Sequence, residues 1–370
     1  MGVGDLHAML ESSARRALLM QGEDGAMPAG HNGPYRDPET PVRNTSHWLI
    51  TFLKAHQITG EAVFREAAQQ AAAYLCSEKA RGKGAFWHRQ SPGKDSCNGL
   101  IGQAWTIEAL AEAGRCWGQQ GLNELGAEVF LQHPFDEKKG LWRRLEVDGT
   151  LLPYDHTFNH QLWFAAAGGL LTTGPASPQS MLEEVQRRVG IFMDNLENLI
   201  HLYPSGLIYH HHFLRPQLQS KLAKFLYINL KGWPREKKRM VSKAVGYHQF
   251  NLYALALLKR IFPQHPFWWS SKFASLWRYA NSTRYVRALE QSPFGYPYNP
   301  PGLEMAFALE IFGDDPLEKL REKQRAWLED QLHRCYDFEE HLMQLNTEDP
   351  ITQAARIYEA ARLPNLELRW

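Results

Sequence analysis

Two aspartates open apolar stretches in the same manner, Asp95 in GKDSCNGLIGQAW and Asp155 in PYDHTFNHQLW. A carboxyl set among aromatic side chains is a candidate proton donor, because desolvation disfavours its charged form. The second stretch adds Tyr154, His156, Asn159 and His160. A third, GYHQFNLYALALLKRIF, places Tyr247, His248 and Asn251 in the first turn of a segment that otherwise reads as a buried helix. Imidazoles and carboxyls grouped in this way suit general acid–base chemistry. Asn and Asp are also ordinary helix caps, but capping does not call for His, Tyr or Gln one turn inside an apolar helix.

The same signature recurs elsewhere: Asn44, His47 and Trp48; Asn98 and Gln103 behind Asp95; Tyr298, Asn299 and Glu304; Asp349 and Arg356. The elements that carry these residues come in pairs, one segment apolar on most faces and one amphipathic. NTSHWLITFLKAH precedes GEAVFREAAQQAAAYL, and four further pairs follow. The N-terminal LHAMLESSARRALLM and the C-terminal DPITQAARIYEAARL complete a sixth. A helix apolar all round must be buried all round, so the pattern predicts six inner helices wrapped by six outer ones. This is an all-α (α/α)6 toroid, one domain over residues 1–370, with a long insertion at about 201–245. Its inner helices run parallel, so their polar first turns converge on one rim and direct positive dipole ends at it. GLWRRLEVDGTLLPY and HLYPSGLIYHHHF read as short hairpins in loops.

A formal net charge of +1 and one short basic cluster, KGWPREKKRMVSK, argue against a nucleic-acid partner. No apolar run has the length of a membrane span and the N-terminus has no signal-peptide pattern, which predicts a cytoplasmic protein. The four cysteines lack metal or disulfide spacing. In YHHHF only His210 and His212 share a face if the segment is extended, and no Cys or acidic ligand motif accompanies them. Neither a metal nor a cofactor is expected, and GxGxxG, Walker and GxSxG motifs are absent.

The paired helices and the polar rim resemble the six-hairpin glycosidase superfamily, with the nearest likeness to unsaturated glucuronyl hydrolases, whose acids lie near successive inner helices. That resemblance implies a glycoside hydrolase acting on a uronic-acid-containing or other anionic oligosaccharide. Asp155 would be the general acid/base and Asp95 its partner, with His160 and His248 beside them. Trp48, Trp87, Tyr35 and Tyr298 are candidate flat faces for sugar rings. The loop GAFWHRQSPGKD, with Trp87, His88 and Arg89, is a candidate cavity wall, and His47, His160, His248 and Arg356 favour an anionic ligand. Two alternatives stay open. One is an epimerase or polysaccharide lyase, with His160 or His248 as base and Tyr154, Tyr247 or Tyr298 as acid. The other is a non-catalytic glycan-binding or assembly protein.

Overall fold

The computed structural model describes residues 2–175, 179–210 and 234–370. In chain order, α1 (Leu6–Leu18) precedes the hairpins α2 (Val42–Thr59) with α3 (Ala62–Cys76), α4 (Gly99–Trp117) with α5 (Gln120–Gln132), and α6 (Phe158–Leu171) with α7 (Gln179–Leu199). Then α8 (Pro234–Gly246) leads into α9 (His248–Ile261), followed by α10 (Ser271–Ala280) and α11 (Thr283–Glu290). The hairpin α12 (Pro301–Phe312) with α13 (Leu317–Cys335) comes next. Last is α14 (Pro350–Ala355), continued by 3-10 turns over Arg356–Arg362.

The inner ring closes on itself. Helix α2 packs on α4, α4 on α6, α6 on α9, α9 on α12, α12 on the Arg356–Arg362 segment, and that segment on α2. Around it, α3, α5, α7 and α13 back their hairpin partners, while α1 lies on α2 and on Arg356–Arg362. The terminal segments do form the sixth pair, and strand Val3–Asp5 joins Glu367–Arg369 antiparallel, tying the two ends of the described chain together.

Burial follows the apolar pattern. Every residue from Gly99 to Ala111 of α4 is buried, whereas α7 buries a single stripe, Leu182, Val185, Val189, Phe192, Met193, Leu196 and Leu199. Such a stripe is what an outer helix needs to dock on one face, and each buried Leu or Phe contributes roughly 1.5–3 kcal/mol. Trp163 of α6 stacks on Phe250 of α9 with ring centroids 4.6 Å apart, sealing two inner helices together. Gly60 and Gly118, both at positive φ, end α2 and α4 as left-handed caps.

The insertion differs from the expected irregular loop, because its last part is α8. The basic cluster hides that helix: charged residues dilute its apolar period, although Pro234 at its first position is an ordinary helix start. The first expected hairpin is present, with Leu141–Leu145 paired to Leu151–Tyr154 and to Phe135–Asp136. Of the second, the described residues show a bridge between Leu202 and Ile208.

Candidate active site

The N-terminal ends of α4, α6 and α9, with Arg356 and the segments that precede α2 and α12, surround a cavity of about 230 Å³. From α4 and its approach come Asn98, Ile101 and Trp105; from α6, Thr157, Asn159 and His160; from α9, Tyr247 and Phe250. Tyr298, Asn299 and Arg356 close the circle, and His210 reaches in from the insertion. The expected convergence on one rim is therefore present for these side chains. A second hollow, about 350 Å³, opens where the inner helices end, lined by Leu53, Lys54, Glu112, Arg115, Leu257 and Arg260 among others. It holds neither Asp155 nor His160.

The chemistry of the rim centres on His160 and Asp155. The imidazole Nδ1 lies 2.8 Å from Asp155 Oδ2. The same carboxylate accepts from the backbone N–H of Leu100 at 3.1 Å and of Thr157 at 3.1 Å. Burial by itself would favour the neutral acid, but the His160 ring and these two N–H groups outweigh it and hold Asp155 well below the usual carboxylate range. An ionised, acceptor-only Asp155 makes Nδ1 the donor, so in the neutral ring the lone pair lies on Nε2. Close packing here depends on Gly99, at φ 61°: a Cβ there would lie 2.4 Å from Asp155 Oδ2 and 2.9 Å from His160 Nδ1. The Asn98-Gly99 pair, both left-handed, turns the chain into α4 against the Asp155–His160 contact.

Asp95 is placed differently. Its Oδ1 accepts from Arg89 Nη2 at 2.9 Å and from Gly99 N at 2.8 Å, and its Oδ2 from Arg144 Nη1 at 2.6 Å. Burial pushes this carboxyl up, yet Arg89, the Gly99 N–H and Arg144 leave it below the usual range. Asp95 organises the wall that presents Arg89 and is not among the residues lining the cavity.

Three tyrosines form the facing wall. Tyr35 Oη and Tyr247 Oη are 2.9 Å apart, and Tyr298 Oη donates to Asn32 Oδ1 at 2.7 Å. Burial raises the pKa of Tyr35 and Tyr247 well above 10, so both hydroxyls keep their protons. Sequence reasoning missed Asn32, Asp37, Lys94, Thr157 and Lys243, all of which line the cavity. Most lie in loops or in α8, where no apolar period marks a position as inward-facing.

The chain is 46% identical over 98% of its length, and 98% of the relative's, to archaeal glycosylation protein Q of Haloferax volcanii. It belongs to the family of that protein. No protein-family model matches it. In fold it is similar to a D-mannose isomerase, with a TM-score of 0.64, 15% identity and 97% of each chain covered. It is also similar to a cellobiose 2-epimerase from Bacillus thermoamylovorans, with a TM-score of 0.63, 10% identity and coverage of 96% and 98%. An unsaturated glucuronyl hydrolase specific for heparin gives a TM-score of 0.59 at 12% identity, covering 96% of this chain and 94% of that one. The expected likeness to six-hairpin toroids holds at the level of fold.

Several residues expected at the rim serve the scaffold of this family member instead. His248 is fully buried on the outer side of α9, its Nδ1 accepting from Ile208 N at 3.4 Å and its Nε2 set 3.3 Å from Leu276 O, between Tyr279 and Tyr285. Burial pushes its pKa down to about 4, so it is neutral and plays no part in the cavity. His248→Ala is expected to lose about 1–3 kcal/mol in urea unfolding while the folded fraction keeps its activity. Gln103 is consumed by Phe86 and Cys97 backbone groups, and His88 by Thr106. Asn44 and Asn251 bond to the carbonyls of Pro28 and Tyr247. Trp48 is core against Phe52, and His47 is buried in a stack on Tyr358.

Glu304 sits behind Arg356 rather than in the cavity. Asp349 caps α14 and accepts from His31 N and Gly33 N. Tyr154 donates to Asp136 on the hairpin, while His156 is exposed. Trp87, also exposed, turns its indole N–H to the Arg89 carbonyl. Each of these departures has one cause: a polar residue in a first turn can face its own helix, its outer neighbour or the cavity, and its spacing is the same in all three cases. His212 lies outside the described residues. Among the described residues no group of three His, Cys, Asp or Glu is placed to hold a metal ion, and no helix is long and apolar enough to cross a membrane.

Proposed function

We propose that the cavity is the active site of a sugar-modifying enzyme that moves a proton at the carbon next to a sugar carbonyl, as an epimerase or aldose–ketose isomerase does. The observation that carries this is the 2.8 Å contact from His160 Nδ1 to Asp155 Oδ2 at the cavity wall. In this reading Nε2 removes the proton from carbon, and Asp155 fixes the tautomer and stabilises the imidazolium that forms. Tyr35 and Tyr247 share a hydrogen bond, so one proton of the pair is free, and it is the donor for the enediolate oxygen. Return of the proton from Nε2 to the neighbouring carbon, with the hydroxyl proton passing from one enediol oxygen to the other, gives the ketose, whereas the epimer requires that the enediolate turn its opposite face to Nε2 before the proton returns to the same carbon. Asn98 and Asn159 offer amides to the ring's hydroxyls.

The glycosylation role named for the Haloferax relative, and the isomerase and epimerase that share the fold, agree with this reading. The hydrolase reading requires a carboxyl that carries a proton into the cavity. The surroundings of Asp155 and Asp95 favour the ionised form of both. The test is incubation of the purified protein with reducing mannosides, glucosides and uronates in heavy water, followed by NMR. Deuterium at C2 without cleavage supports the proposal. Cleavage of a glycoside, or loss of the conjugated double bond of an unsaturated uronide, with no deuterium at C2 of any sugar, overturns it in favour of hydrolysis.

A further inference from the structure

The cations on the cavity wall are not equivalent. Arg89 answers Asp95 at 2.9 Å, Lys94 answers Asp37, and Arg356 answers Glu304 at 2.9 Å together with Glu359. Lys243, from α8, has no carboxylate partner among the described residues. Its ammonium is 4.8 Å from the ring centroid of Tyr35 and 5.9 Å from those of Tyr247 and Phe294. Aromatic faces attract a cation but carry no formal charge to neutralise it. Its charged neighbours, Arg239 and Lys94, have the same sign and add to the field. A largely desolvated ammonium in this setting remains costly until an anion arrives.

We infer that Lys243 recognises a carboxylate on the sugar, which makes the substrate a sugar acid. A carboxylate fits better than a phosphate because Asp37, itself on the cavity wall, and the ionised Asp155 behind His160 repel a dianion more than a monoanion. The grounds differ from those in the sequence, where His47, His160, His248 and Arg356 favoured an anion. The structure buries His47 and His248, pairs His160 with Asp155 and Arg356 with two glutamates, so the selectivity passes to Lys243. The inference rests on the cavity being a sugar site, as proposed above.

Isothermal titration of the full chain with D-glucuronate and D-glucose tests it. Native protein is expected to bind glucuronate at least tenfold more tightly than glucose. Lys243→Gln should erase that preference, with glucose affinity and melting temperature unchanged, and Lys243→Arg should keep part of it. Equal affinity of the native protein for the two sugars overturns the inference, as does a preference that survives in Lys243→Gln. Deuterium uptake is scored separately. A Lys243-dependent preference without uptake into any sugar removes the proton-transfer reading and leaves carboxylate recognition standing. Uptake into neutral sugars with no preference for glucuronate does the reverse.

Discussion

His160→Gln is expected to lower the rate of deuterium exchange by about 10²–10⁴-fold, the range over which a positioned acid–base group accelerates proton transfer. Stability should change little. The His160 side chain is 23% exposed, and Asp155 keeps the Leu100 and Thr157 N–H groups when the ring is gone. Asp155→Asn should also be severe for activity: an amide can donate to Nδ1 and force the proton onto Nε2, removing the base. Gly99→Ala should produce the same loss without touching either functional group, since its Cβ would fall 2.4 Å from Asp155 Oδ2. Exchange rates and melting temperatures of the three variants check this together. If Asp155 acted directly as a general acid, Asp155→Asn would abolish turnover while His160→Gln retained it.

The largest stability effect is expected from Arg356→Met. The Arg356 guanidinium donates to Asn299 Oδ1 at 3.1 Å, to Glu304 Oε1 at 2.9 Å and to Glu359 Oε1 at 2.5 Å, all of these side chains being buried. Removing the cation leaves two carboxyls in the ring interior with no positive partner, a change that costs about 3–5 kcal/mol. Burial already pushes Glu359 up to about 7 despite Arg356, and pushes Glu304 up as well, with Glu359 adding repulsion. A carboxyl whose folded pKa exceeds its unfolded value is tolerated while protonated, and stability is lost as pH rises above the unfolded value. The Arg356→Met deficit should therefore be modest near pH 5 and grow toward pH 8, as read by urea titration at each pH. Arg356→Lys should recover only part of it, because one ammonium cannot serve three acceptors held in the plane of a guanidinium.

These two outcomes rest on different parts of the chain, and the parts differ in how plainly the sequence announces them. The ring of inner helices is written in composition: α4 and α6 are apolar on nearly every face, so only an enclosed position satisfies them. The pairing of α1 with the C-terminal segment follows from counting helices, since each lacks a partner on its own side. Helix α8 is not legible in this way. Its exposed, charged residues obscure its apolar period, so Lys243 reads in the sequence only as one more charge of the basic cluster.

At the site, the sequence by itself determined that Asn98, Asn159, His160, Tyr247, Tyr298, Asn299 and Arg356 lie on one rim. Parallel inner helices place their first turns at the same end whatever the side chains do. Only the tertiary structure decided which of the rim's polar residues face the cavity. His160 and His248 occupy comparable first turns, and rotation of each helix about its axis sends one toward the cavity wall and the other toward Tyr279 and Tyr285. The state of Asp155 is likewise a tertiary property. Its neighbours in sequence suggest a desolvated acid, but a carboxyl that accepts from an imidazole five residues on and from a backbone N–H fifty-five residues back stays ionised. The Leu100 N–H arrives only when α4 and α6 pack together, and with the His160 imidazole it outweighs the burial that the sequence already implied.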